Sequence, residues 1–365
     1  MSERPPGLHD APAEQDDSPQ ARAEERTPGQ PAGERPGAGA EPAPRRGRKR
    51  GGRRRPLGLR AREARLGLGL VSPTLVIVLL VVVLPFLWTI LMSFQRLRLI
   101  DLQNVFDVTL TLRNFRVVLG SPQLWDMVRT TLIYSIAGTA LSVGMGLLTA
   151  LALRRTFAGR GLIRIAVLFP YVIPVVSAAL VWRTLLNPQF GPVNVFGVDV
   201  LGWDEPIGFL SERSHRFEVL GIGFDLPVAL LSVIAFEAWK TFPLAFLFIL
   251  ARLQGMPKDL EEAARVDGAT PLQRFRYVIM PQLAGVIALL VLLRFIWTFQ
   301  NFNDVYLLTG GAAGTEVVAV QVYNYLINRN DVGSAAALGL LMSIVLVTAF
   351  AFYYRYGVLK QERDA

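Results

Sequence analysis

The sequence predicts an all-α integral membrane protein, a bundle of six spanning helices with a helix–turn–helix projecting on the cytoplasmic side. Three observations carry that prediction. Mean hydropathy is +0.38, and charged residues make up 18% of the 365-residue chain, against about 25% in soluble domains. The apolar residues concentrate after Arg65, in six stretches that reach the roughly 20 residues a bilayer span needs. Basic residues gather in alternate connections between those stretches, the pattern that keeps short basic loops on the cytoplasmic side.

Residues 1–65 form a polar extension. Met1–Pro44 is rich in Pro, Gly, Ala and Glu without apolar periodicity. It cannot bury enough surface to offset the entropy of ordering, so it reads as disordered. No apolar stretch precedes Leu66, so no signal peptide is expected. Arg45–Arg65, RRGRKRGGRRRPLGLRAREAR, reads as a juxtamembrane anchor held by anionic lipid. No aromatic interleaves its arginines, so no nucleic-acid partner is expected.

The spans follow within a membrane domain of residues 66–360: Leu66–Phe94, Met127–Leu153, Leu162–Leu186, Leu226–Leu250, Leu283–Leu308 and Ser334–Tyr356. The second carries Gly138, Gly144 and Gly146, which suit close helix contact. Pro170 and Pro174 in the third and Pro243 in the fourth are tolerable where neighbouring helices satisfy the freed carbonyls. With six spans, the basic run, the Arg154/Arg155/Arg160/Arg164 loop and the Arg252/Lys258/Arg265/Arg274/Arg276 loop share one side with Arg355 and Lys360. Asp199, Asp204, Glu205, Glu212, Glu218 and Asp225 fall on the other. Both termini are therefore expected in the cytoplasm. Arg96, Arg98, Arg113 and Arg116 on the outer side weaken this contrast without reversing it.

Composition excludes several chemistries. The chain has no Cys, hence no disulfide, cysteine-ligated zinc or iron–sulfur cluster. His9 and His215 are too few and too separate for a metal site or proton relay. A Walker A loop needs a Gly-Lys pair to hold phosphates. Lys49, Lys240, Lys258 and Lys360 follow Arg48, Trp239, Pro257 and Leu359 instead, so the chain carries no ATPase of that type. No catalytic residue and no metal site are expected.

The connection between the fourth and fifth spans, residues 256–283, reads MPKDLEEAARVDGATPLQRFRYVIMPQL. Pro257 can start a helix, and Asp259, Glu261 and Glu262 suit its positive N-terminal end. Leu260, Ala263, Ala264 and Val266 supply a compact apolar surface. Gly268 permits a turn at positive φ, and Pro271 can open a second short helix that Pro281 ends before the fifth span. The product is a helix–turn–helix knob suited to a hydrophobic groove on a partner.

Glu262-Ala263-Ala264, three residues, Gly268, nine residues and Val278-Ile279-Met280-Pro281 resemble the EAA loop of ABC-importer permeases. Val278 and Met280 stand where that pattern usually has Ile and Leu. Asp267-Gly268-Ala269 resembles the carbohydrate branch of the family. LPFLWTILMSF in the first span, NPQFGPVN at Asn187–Asn194 and FNDVYLLTGG at Phe302–Gly311 are similar to sugar-permease sequence too. The last is most like the first-subunit type of glycerol-phosphate and maltose permeases, although Ala312 and Ala313 replace the usual Gly-Pro. The resemblance covers about Leu66–Tyr356.

That resemblance implies a six-helix permease bundle with a cytoplasmic coupling helix–turn–helix, a transport subunit rather than an enzyme, in a bacterial inner membrane. Its partners would be a second permease subunit, two ATPase subunits and an extracytoplasmic solute-binding protein. The chain itself would bind no cofactor, ATP and Mg being used by the partner ATPase. Glu262, Ala263, Ala264, Asp267, Gly268 and Pro281 would form the coupling surface. Glu262 would reach a basic or polar position on the ATPase, and Gly268 would set the turn.

Ionisable residues within spans are costly and mark functional candidates. Lys240 and Arg294 lie roughly 15–18 Å from the cytoplasmic ends of their spans at ~1.5 Å per residue. Glu237 shares a helix face with Lys240. Two readings stay open: a Glu237/Lys240 pair with Arg294 capping a carbonyl, or a cavity lining that takes hydroxyls or a phosphate. In RFIWTFQNFNDVY, aromatics alternate with amides, as saccharide binding requires. Trp297, Gln300 and Asn301 therefore join Glu237, Lys240 and Arg294 as the candidate substrate cavity, with Phe295 beside them. Phe302 and Tyr306 suit an outer aromatic belt. The transported solute is expected to be a sugar or sugar derivative. The alternatives are a polyol phosphate or other polar solute held by Lys240 and Arg294, and an ion-coupled carrier, which the scarcity of intramembrane acids disfavours.

Overall fold

The computed structural model describes residues 57–100, 110–219, 222–353 and 355. Met1–Pro44 and the basic run as far as Pro56 lie outside the described residues, as does Lys360. The chain divides at Leu66/Gly67; the second unit is the helical bundle.

The first helix, α1 (Leu57–Val78), begins ahead of the expected Leu66. The reason is local: Leu57, Leu59, Ala61, Ala64 and the intervening arginines are strong helix formers, so the helix outruns the apolar stretch. It continues through a π turn, Leu79–Val83, into α2 (Leu84–Ser93). The π turn ends two residues before Pro85, whose ring would otherwise crowd the carbonyl four residues back. A short α3 (Arg113–Leu119) leads to α4 (Leu124–Ala152).

The third expected span is not one straight helix. It consists of α5 (Arg160–Val172) and α6 (Val175–Leu185), bent by 97°. Ile173 is extended at ψ 135° because the ring of Pro174 disfavours helical backbone in the residue before it. The neighbours do not straighten this proline break, whereas Pro170 and Pro243 remain inside helices. Between spans lie α7 (Pro192–Asp199) and an antiparallel hairpin, β1 (His215–Val219) with β2 (Ile222–Leu226), in which His215 faces Leu226.

The fourth span is α8 (Val228–Gln254), followed by α9 (Lys258–Val266) and α10 (Pro271–Arg274). Pro281 does not end a short helix, as the sequence suggested. From Pro271 the helix runs through a π turn, Phe275–Ile279, straight into α11 (Met280–Phe299). Met280 N–H donates to Phe275 O across the widened turn, which accommodates Pro281 as the earlier π turn accommodates Pro85. The expected fifth span also stops early, at Phe299, and a separate α12 (Asn303–Thr309) follows. After α13 (Val318–Tyr323) and a third π turn, Asn324–Asn328, comes the last span, α14 (Val332–Tyr353). Among the described residues five helices are long and apolar enough to cross a membrane, or six with the α5/α6 pair.

The centre is α8, packed along α4. A Cβ at Gly146 would fall 2.6 Å from Ala245 Cβ and 2.8 Å from Phe246 N, so only glycine lets these two helices meet there. Gly144 faces open space instead. Two apolar clusters sit at opposite ends of this contact. One joins Ala150, Leu153, Ile249, Leu253 and Leu283, the other Tyr134, Val233, Phe236, Val305 and Val320. The first span instead leaves Leu70 to Leu87 largely exposed and touches the bundle through α2, on α14.

Candidate functional site

Between those apolar clusters, α8, α11 and α12 converge on a buried polar network. Glu237 and Asp304 are fully buried, and Arg294 is 3% exposed. Arg294 Nη2 is ion-paired with Glu237 Oε1 and donates to Thr241 Oγ1 at 2.8 Å and to Thr298 Oγ1 at 3.2 Å. Thr298 Oγ1 in turn donates to Glu237 Oε1 at 2.9 Å. Lys240 Nζ lies 3.4 Å from Glu237 Oε2 but makes its tighter pair with Asp304. Asn301 Nδ2 bridges the two acids, 3.2 Å from Glu237 Oε2 and 2.8 Å from Asp304 Oδ2. Ser142 on α4 joins through Thr241, hydroxyl to hydroxyl at 3.0 Å.

The Glu237/Lys240 pair expected from the sequence is present, but the rest of the arrangement is different. Arg294 pairs with a carboxylate rather than capping a carbonyl. Lys240 is shared, and its main partner is Asp304, on a helix separate from α11. Two acids and two cations balance in formal charge, each cation facing a carboxylate, while Arg294 Nε is buried without a hydrogen-bond partner. The partner of Asp304 is not legible in the sequence, because Lys240 stands 64 residues away on another helix.

The other candidate cavity residues separate. Asn301 belongs to the network, whereas Trp297 is 50% exposed and Gln300 is also exposed. Trp297 thus stands apart from Arg294 and Thr298 on its own helix. Phe295 borders an apolar pocket of about 350 Å³ between α4, α11 and α14. Phe302, Tyr306 and Tyr323 form a ring cluster with centroids 4.7–4.9 Å apart.

The second site is the α9–α10 knob. No side chain of α9 is buried. Leu260 and Val266 on α9, Leu272 beyond the turn and Tyr277 in the π turn are all at least half exposed. Glu262, Ala263, Asp267 and Gly268 are exposed too, with Ala264 partly covered. Gly268 adopts φ 80°, the left-handed region closed to most side chains. Ala269 N–H then reaches Ala264 O at 2.9 Å and closes the helix end. Thr270 opens α10 with a capping box: Gln273 N–H donates to Thr270 Oγ1, and Thr270 N–H to Gln273 Oε1. Glu261 is ion-paired with Arg154, from the α4–α5 connection, a contact 107 residues apart that the sequence does not signal. Arg154, Lys258, Glu261, Glu262, Arg265 and Arg274 border one cleft of about 820 Å³.

Membrane-crossing helices with a self-neutralised polar centre, and a bare amphipathic helix offered at one end, define a multi-pass membrane transport subunit. The chain belongs to the binding-protein-dependent transport system inner membrane component family, whose model matches residues 142–358. It is 34% identical over 278 residues to the inner membrane ABC transporter permease protein YcjO of Escherichia coli, covering 76% of this chain and 89% of the relative. It is 32% identical over 307 residues to the trehalose/maltose transport system permease protein MalF of Thermococcus litoralis, covering 83% and 97%. Its fold resembles a chain of a bacterial ABC transporter involved in the import of the acidic polysaccharide alginate, with TM-score 0.65 and 21% identity over 82% of this chain and 99% of that one. The protein is thus the permease subunit of an ATP-driven importer, with ATP hydrolysis in a separate chain.

Proposed function

We propose that this permease carries a neutral saccharide and is driven through α9. The observation that carries the solute class is the balanced network: Lys240 and Arg294 each face a carboxylate, so neither stands ready for a phosphate. The 32% identity to a trehalose/maltose permease supports the same class. Trp297 and Gln300, exposed on this chain, offer a ring face and an amide of the kind saccharides use, on a surface open to a second permease subunit.

The assembly proposed is this chain, a second permease, two ATPase subunits that use ATP and Mg, and an extracytoplasmic binding protein that delivers the solute. With α5/α6 counted as one span the count is even, which supports a topology with both termini on the cytoplasmic side. The exposed apolar side chains of α9 and the tip beside Gly268 dock on an ATPase, which moves the knob as it closes. The test is uptake by the complex reconstituted in proteoliposomes. Trehalose or maltose should be carried, and sn-glycerol 3-phosphate should neither be carried nor compete. Transport of the phosphate in preference would overturn the solute class.

A further inference from the structure

We propose that Arg154 is a positioning residue for the coupling helix: its ion pair with Glu261 carries the motion of α9 into α4 and α5, spans that α9 does not adjoin along the chain. The inference rests on α9 being the ATPase-docking helix. Along the chain, α9 is continuous only with α8, through Gly255–Pro257, and with α10, through Asp267–Thr270. None of its side chains is fully buried, and its packing neighbours include α10 and the π turn Phe275–Ile279 but not α4 or α5 at comparable closeness. Among the described residues, Glu261 supplies the ion pair that leaves this helix. The side chains of Arg154 and Glu261 are 25% and 28% exposed, so the pair is shielded from much of the solvent that weakens surface bridges.

The other end of the pair is fixed. Arg154 follows Leu153, which is 6% exposed and packs in the apolar cluster with Leu253 and Met256. Two arginines at the start of α5 hold the carbonyls of this turn. Arg164 Nη2 donates to Leu153 O at 3.0 Å, and Arg160 Nη1 to Arg154 O at 3.3 Å. A displacement of Glu261 therefore acts on a turn fastened to both α4 and α5. α4 lies along α8 and carries Ser142, which meets Thr241 in the polar network. The bridge gives the coupling helix a second, non-covalent route to the centre of the bundle.

The test uses the full complex with trehalose-loaded binding protein, and variants Arg154→Ala, Glu261→Ala and the exchange Arg154→Glu/Glu261→Arg. Arg154→Ala should retain the ATPase on co-purification, but stimulation of ATP hydrolysis by the loaded binding protein should fall about fivefold or more. The exchange should restore most of that stimulation. In the purified permease alone, amide exchange across residues 258–266 should quicken in Arg154→Ala and return toward wild type in the exchange. Unchanged amide exchange in Arg154→Ala, loss of the ATPase from that variant, or an exchange that rescues nothing would each overturn the proposal. Failure of the wild-type permease to retain any ATPase would instead overturn the docking role of α9, and the amide exchange would still judge the tie.

Discussion

Lys240 on α8 and Asp304 on α12 are ion-paired across 64 residues of chain, Asp304 standing just past the break between α11 and α12. The gap leaves Gln300 to Phe302 without continuous helix, yet Asp304 is fully buried. A buried carboxylate without a cation would cost several kcal/mol, so the lysine sets where α12 can lie. The same lysine touches Glu237, which holds Arg294 of α11. Three helices are thus registered by four charges.

Removing one member should expose this dependence. Asp304→Ala or Glu237→Ala leaves a buried cation short of a partner and should destabilise the permease by about 3–5 kcal/mol. The double variant Lys240→Ala/Asp304→Ala should cost less than the two single changes added together. Thermal unfolding of the detergent-solubilised permease measures both. Additive losses would show that the two side chains act separately.

Asn301 and Trp297, close in sequence, should behave differently. Asn301→Ala breaks two hydrogen bonds to buried carboxylates and should cost on the order of 1–3 kcal/mol in the same unfolding assay. Trp297→Ala removes an exposed ring and should shift stability by no more than about 0.5 kcal/mol, while altering the kinetics of trehalose uptake. Equal destabilisation by both would place Trp297 in the core.

Gly268→Val should damage coupling without unfolding the spans. At φ 80° a branched side chain is strained by more than the roughly 1–2 kcal/mol typical of left-handed backbone. An added Cβ would meet nothing within 4 Å, so the strain lies in the backbone conformation. The expected result is normal membrane abundance with weakened ATPase co-purification. Retained association would mean the turn can open freely.

Glu262→Ala tests the docking face. An exposed glutamate that meets only water should be nearly silent, within about 0.5 kcal/mol. If it is buried against an ATPase, truncation should weaken docking by about 2–5 kcal/mol. Titration of the permease against the purified ATPase distinguishes the two, and the larger loss is expected.

The sequence by itself determined the membrane class, the apolar segments and the place of the α9–α10 knob, because each is local. Hydropathy over one helix length defines a span, and Pro257, Gly268 and Pro271 constrain their own backbone locally, whereas the Thr270–Gln273 capping box emerged only in the structure. Pro85, Pro174 and Pro281 were equally visible, yet only the fold decided their effects. The 97° bend falls at Pro174, while the other two ride behind π turns. Tertiary structure alone also decided which charges meet. Glu237 could be read as a partner for Lys240 because they stand three residues apart, but Arg294 and Asp304 approach it only when α8, α11 and α12 converge. Arg154 and Glu261 meet for the same reason. Ion pairing depends on distance in space, and in a helical bundle that distance is set by how the apolar faces pack rather than by position along the chain.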